Sequence, residues 1–69
     1  MAESDGPDDP QIALYVRQYI NRMEDSGREP TLRDLRRQAV KDQVALGRQS
    51  VLDAIFYRQI DARRAAQHA

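Results

Sequence analysis

The sequence predicts an all-α protein, a three-helix bundle preceded by a disordered acidic N-terminal tail. Three observations predict it. Apolar residues recur at spacings of three and four in three separate stretches, the period of a helix with one buried stripe. Each stretch opens on an Asp, Thr or Ser, residues whose side-chain oxygen can take the free N–H groups of a helix start. No stretch alternates apolar and polar residues, and no hairpin turn signal appears. The expected organisation is a tail over residues 1–8 and one domain over 9–66, with helices over about 10–25, 32–46 and 51–65.

The tail holds Glu3, Asp5 and Asp8 with Gly6 and Pro7, and it has almost nothing apolar to bury. Such a segment cannot offset its ordering entropy, so it reads as disordered. It is a solvated leader in one reading and a weak competitor for the basic body in the other.

The first helix should begin at Asp9-Pro10. Asp9 suits the N-cap, and Pro10 suits the next position because no N–H is needed there. Ile12, Val16, Tyr19, Ile20 and Met23 form its apolar stripe. Ser26-Gly27 should end it, with Gly27 free to turn left-handed. Pro30 then keeps Glu29 extended and blocks any continuation.

Thr31-Leu-Arg-Asp34 fits a capping box for the second helix. Leu32, Leu35, Ala39 and Leu46, joined by Val40 and Val44, mark its buried side. Arg33, Arg37 and Lys41 follow at i, i+4 and i+8, roughly opposite Leu35 and Ala39 on a 3.6-residue wheel. They form a cationic stripe, flanked by Arg36. Like charges so spaced repel one another, which suits a ligand that neutralises them. Gly47 should stop or bend this helix. Ser50-Val-Leu-Asp53 offers a second capping box, followed by the stripe Leu52, Ile55, Phe56 and Ile60 with Val51 beside it.

Composition narrows the function classes. The chain has 69 residues, room for one small domain and a thin core. It has no cysteine, which excludes a disulfide scaffold and a Cys-based zinc site. No apolar run approaches the ~18 residues of a membrane span, and the start lacks a secretory layout. His68 stands alone, the serines have no base partner, and the three glycines are too scattered for a phosphate loop. These points argue against an enzyme, a metal site and a cofactor, and for a cytoplasmic binding module.

The balanced charge, eleven Lys+Arg against eleven Asp+Glu, hides an asymmetry. Residues 1–10 hold four acids and no cation (−4), and residues 11–69 hold eleven cations against seven acids (+4). Ten of the eleven cations are Arg, whose planar fork fits phosphates and base edges. An Arg-rich basic body points to a polyanion.

Helix, turn, helix is the arrangement that carries meaning. It would lay the last helix in a DNA major groove and the one before it across the backbone. Arg33, Arg36, Arg37 and Lys41 are the candidate phosphate contacts. Arg48, Gln49 and Ser50, at the start of the last helix, are the candidate groove contacts, Arg for guanine and Gln for adenine. Asp53 and Asp61 on the outer face of that helix count against this. With Gly47 as the turn glycine, Asp42, Arg48 and Asp53 also fall where the template wants apolar residues, so the turn must be longer or rearranged. Tyr15, Val51 and Tyr57 lie beside the stripes and are candidates for a dimer or partner surface.

The stretch Ile12–Arg64 resembles the N-terminal DNA-binding region of KfrA-type plasmid proteins. The resemblance rests on the opening amphipathic helix and on Gly27-Arg28-Glu29-Pro30-Thr31 followed by Leu32 and Leu35. It continues in the Gly47 and Ser50 start of the last helix. The interval from Pro30 to Gly47 is longer than in that pattern, and the last helix lacks its tryptophan. The resemblance implies double-stranded DNA as partner, a homodimer, and a role as a transcriptional regulator or plasmid accessory. The competing reading is a protein–protein module, an adaptor or inhibitor of phage or plasmid origin, which the balanced charge and spare tyrosines suit.

Overall fold

The computed structural model describes residues 9–67. The acidic tail over 1–8 and His68 lie outside the described residues. The described chain is an all-α three-helix bundle with no strand: α1 spans Pro10–Asp25, α2 Leu32–Lys41 and α3 Gln49–Gln67.

The helix-forming signals explain α1 fully. Asp9 stays extended and its Oδ1 accepts the N–H groups of Gln11 and Ile12 at 3.0 and 3.3 Å. At the other end Gly27 adopts φ +71°. The Arg28 N–H then reaches the Met23 carbonyl at 2.8 Å, and the Gly27 N–H reaches Glu24 at 3.0 Å. This closing pair of bonds satisfies carbonyls that a helix end otherwise leaves free. α2 opens on the expected Thr31 cap, whose Oγ1 accepts the Asp34 N–H at 3.2 Å, but the reciprocal half of the capping box does not form: the Thr31 N–H donates to the Tyr19 hydroxyl, which itself donates to Asp34.

α2 ends five residues earlier than its apolar period suggests. Asp42 is the C-cap and Gln43 turns left-handed at φ 58°. The Val44 N–H then bonds the Ala39 carbonyl at 2.8 Å, and the Gln43 N–H bonds Val40 at 3.1 Å. The closure matches the one at Gly27, made here by a glutamine. Leu46 and Val40, expected in the core, are exposed at 60% and 55%. Leu46 no longer sits on a helix, and Val40 lies about 100° round from the buried Ala39. Val44 still packs on the core from the connection. Residues 42–48 thus form a long turn with three left-handed residues, Gln43, Ala45 and Gly47.

α3 starts at Gln49 rather than 51. The Arg48 carbonyl accepts the N–H groups of Val51 and Leu52 at 3.1 and 3.2 Å, so Arg48 occupies the cap position and Ser50 lies inside the first turn. The expected Ser50–Asp53 capping box does not form. Asp53 is taken by Arg36 of α2 instead.

The core is Ile12, Val16, Tyr19 and Ile20 from α1, Leu35 and Ala39 from α2, and Leu52, Ile55 and Phe56 from α3. α3 is the element on which both others pack, most extensively α1. Polar bonds fix the register between them. The Gln59 side-chain amide donates to the Ala13 carbonyl at 2.9 Å, and Arg63 donates to Glu24 and Asn21 at 2.8 and 2.7 Å. Tyr19 ties α1 to the start of α2: its hydroxyl donates to Asp34 at 2.9 Å and accepts the Thr31 N–H at 3.3 Å. Burial is the main reason its ionisation is pushed up. No helix among the described residues is long and apolar enough to cross a membrane.

Candidate nucleic-acid interface

The outer face of α2 follows from its spacing. Leu35 and Ala39 bury one side, so Arg33, Arg37 and Lys41 stand on the other, all three exposed. None of the three has a hydrogen bond or ion pair among the described residues. Arg36 turns away from them. Its Nε donates to Asp53 Oδ1 at 3.0 Å and its terminal nitrogen pairs with Asp53 Oδ2. Of the four expected phosphate contacts, three lie together on one face and the fourth bridges α2 to α3.

The same bridge changes the electrostatics of α3. Asp53 is not a bare carboxylate on the outer face, because a guanidinium covers both its oxygens. The helical period leaves Ser50, Ala54, Tyr57, Arg58 and Asp61 facing outward from the bundle, all exposed. Asp61 is the acid that remains on this surface.

Gln49 and Ser50 lie exposed in the first turn of α3, with Arg48 just ahead of them. Arg48 is held across the fold by Asp9, its NH1 donating to Oδ2 at 2.6 Å. Asp9 therefore caps α1 with one oxygen and binds Arg48 with the other. The Arg48 bond is the main reason that its carboxyl titrates below the ordinary value, with the Ile12 N–H adding to it.

Two exposed cations that the spacing did not single out lie at the flank of α2. Arg22 and Arg28 line a groove of about 410 Å³ with Tyr19, Asp34 and Gln38, between the end of α1 and the flank of α2. Arg22 lies three residues beyond Tyr19, at the edge of the buried stripe. That spacing is legible in the sequence, but which helix faces that edge is not.

The three candidate partner contacts do not come together. The Tyr15 hydroxyl donates to Asp42 at 2.7 Å, and burial together with that carboxylate pushes its pKa up to about 12. Tyr15 lines a groove of about 490 Å³ with Leu14, Val44 and Leu46. Tyr57 lines another, beside Pro30, Phe56 and Ile60, with its ring edge-on to Phe56 at 5.6 Å. Val51 is half-buried against the core. No group of three or more His, Cys, Asp or Glu among the described residues is placed to hold a metal ion.

No family model matches this chain, and neither a curated protein nor a solved structure matches it.

Proposed function

We propose that this chain is a small DNA-binding protein of the cytoplasm, a transcriptional regulator or an accessory of a plasmid or other mobile element. The observation that carries the reading is the outer face of α2, where Arg33, Arg37 and Lys41 stand exposed with no carboxylate paired to them among the described residues. α2 lies across the phosphate backbone, and Arg22 and Arg28 prolong the contact. The first turn of α3 enters the major groove, where Gln49 and Ser50 meet base edges. Arg48 joins them by exchanging Asp9 for a phosphate or a guanine. The Arg36–Asp53 bridge keeps one carboxylate off the approaching duplex. The KfrA-type resemblance supports a homodimer on two half-sites.

Fluorescence anisotropy with mixed-sequence duplex DNA at two salt concentrations tests this. Binding should fall steeply with salt, by about 0.9 in log–log slope for each phosphate neutralised. Arg33→Ala with Arg37→Ala should weaken binding to all sequences alike, and Gln49→Ala should relax sequence preference. Binding that ignores salt, or that survives all of these changes, refutes the assignment.

One observation favours a second reading. Leu14 and Leu46, exposed at 46% and 60%, line the same groove as Tyr15. A protein partner seated there would bind with little salt dependence and be lost on altering Tyr15.

A further inference from the structure

The groove between the end of α1 and the flank of α2 holds more hydrogen-bond donors than the fold uses. We infer that it is a binding site for a sugar phosphate, a phosphate monoester whose carrier also bears a hydroxyl, with Arg22 and Arg28 on the phosphate and Asp34 on the hydroxyl.

The surplus of donors is the first argument. Arg22, Ser26, Arg28 and Gln38 all line the groove. A guanidinium is a donor only, and the Ser26 hydroxyl and Gln38 amide add further donors. None of these four side chains has a hydrogen bond or ion pair among the described residues. Tyr19, also in the lining, is already spent: its hydroxyl accepts the Thr31 N–H and donates to Asp34. Donors gathered without acceptors suit a ligand rich in acceptor oxygens.

Charge is the second argument. The lining holds two cations against one carboxylate, Asp34, which takes the Tyr19 hydroxyl at 2.9 Å through Oδ2. Glu24, Asp25 and Glu29 do not line the groove, and Glu24 is held by Arg63. Free carbonyls at the C-terminal end of α1 would repel an anion. The Arg22, Met23 and Glu24 carbonyls are instead bonded by the N–H groups of Ser26, Arg28 and Gly27. A phosphate monoester carries about −1.5 to −2 charges at neutral pH, which two guanidinium forks match.

The third argument is the other oxygen of Asp34. Oδ1 has no bond among the described residues. A carboxylate beside a bound anion repels it unless the ligand also brings a donor. A sugar hydroxyl meets that need, and sulfate, which only accepts, does not. The groove, at about 410 Å³, falls within the roughly 300–1,000 Å³ of small-molecule sites, room for a sugar as well as its phosphate. The site does not rest on the DNA reading. A ligand here would draw Arg22 and Arg28 from a duplex and leave the outer face of α2 untouched.

Amide chemical shifts of the isotope-labelled full chain, titrated with ribose 5-phosphate, test the site, with sodium sulfate and ribose at matched ionic strength as controls. The amides of Ser26, Arg28 and Gln38 should follow saturating curves with a Kd of about 1 mM or tighter. Those of Arg33, Arg37 and Lys41 should move less. Sulfate should bind at least about tenfold more weakly. Arg22→Gln with Arg28→Gln should weaken ribose 5-phosphate about tenfold or more. Both side chains are exposed and make no bond, so the fold is kept, which circular dichroism checks. Asp34→Asn still accepts the Tyr19 hydroxyl and should erase the preference over sulfate. Shifts that do not saturate, equal shifts with sulfate, the largest shifts on the outer face of α2, or a double variant that titrates like the parent would each overturn the inference. A dinucleotide with and without a 5′-phosphate separates two sources of this chemistry. Phosphate-dependent binding tighter than that of ribose 5-phosphate supports a strand end as ligand, and equal or weaker binding supports a free sugar phosphate. The readout uses no duplex, so its outcome is separate from that of the DNA titration.

Discussion

Replacing Gln43 with glycine tests where α2 ends. Gln43 holds φ 58°, a conformation that crowds the Cβ of an L-residue and costs roughly 1–2 kcal/mol. Glycine removes that cost but adds about 0.5–1 kcal/mol of backbone entropy in the unfolded chain. The side chain is exposed and makes no bond, so little else is lost. The net gain is about 0.5–1 kcal/mol. With about 2.1 cal/mol/K per residue over residues 9–67, the unfolding entropy is about 0.12 kcal/mol/K and Tm should rise by about 4–8 °C. The companion change is Gly47→Ala. Gly47 sits at φ +74° with no atom within 4 Å of where an alanine methyl would stand, so only the backbone conformation matters. It should lower Tm by a similar amount. Thermal melts followed by far-UV circular dichroism measure both. A helix running on to residue 46 would put residue 43 in its interior, where glycine costs about 1 kcal/mol. Tm would then fall. A lower Tm for Gln43→Gly would refute the early stop of α2 and the long turn built on it.

Leu35 is fully buried at the meeting of the three helices, so Leu35→Ala should cost about 2–5 kcal/mol in urea unfolding. A loss below about 1 kcal/mol would contradict its central place. Tyr15 has its folded pKa raised from 10.0 to about 12, so the stability it contributes is fully present below pH 10 and is lost as pH rises through 12. Tyr15→Phe should remove Tyr15's share of the alkaline decline, measured by stability against pH, and leave the share of Tyr19, whose ionisation is also pushed up by burial. An unchanged decline would show that Tyr15 is not held by its burial and the Asp42 bond. Asp9 has its folded pKa lowered from 3.8, so its contribution is present above that value and is lost as pH falls through the lowered one. Asp9→Asn should flatten the acid limb of the same profile, and an acid limb of full size would exclude the Arg48 pair as its source.

α1 was legible to the residue because every signal for it is local: Asp9 and Pro10 at the start, four apolar positions on one stripe, Gly27 at the end. The end of α2 was not. Its stop depends on Gln43 turning left-handed, and glutamine carries no preference for that region. The apolar residues Val44 and Leu46 meanwhile continue the helical period past the real end. The cationic row on α2 was legible because it needs only one helix and a spacing of four. The ion pairs were not. Arg36 and Asp53 lie 17 residues apart and Arg48 and Asp9 39 apart, and each pairing depends on how the cores of two helices register. Ser50–Asp53 looked like a cap for the same reason: a local motif was visible, while the guanidinium that takes Asp53 arrives from another helix.

Those ion pairs bear on function more than on stability. Exposed pairs of this kind add little to folding. Their placement matters because Arg36, Arg48 and Arg63 hold the carboxylates of Asp53, Asp9 and Glu24, none of them on the outer face of α2. Arg33, Arg37 and Lys41 are left without a paired carboxylate among the described residues. Three phosphate contacts give a salt slope of about −2.7, and five, with Arg22 and Arg28, about −4.5. Raising salt from about 50 to 200 mM then weakens binding by roughly 40-fold for three contacts and 500-fold for five. Two chains on adjacent half-sites would double the slope. The measured slope therefore counts the cations engaged, and with them whether the groove cations Arg22 and Arg28 belong to the interface.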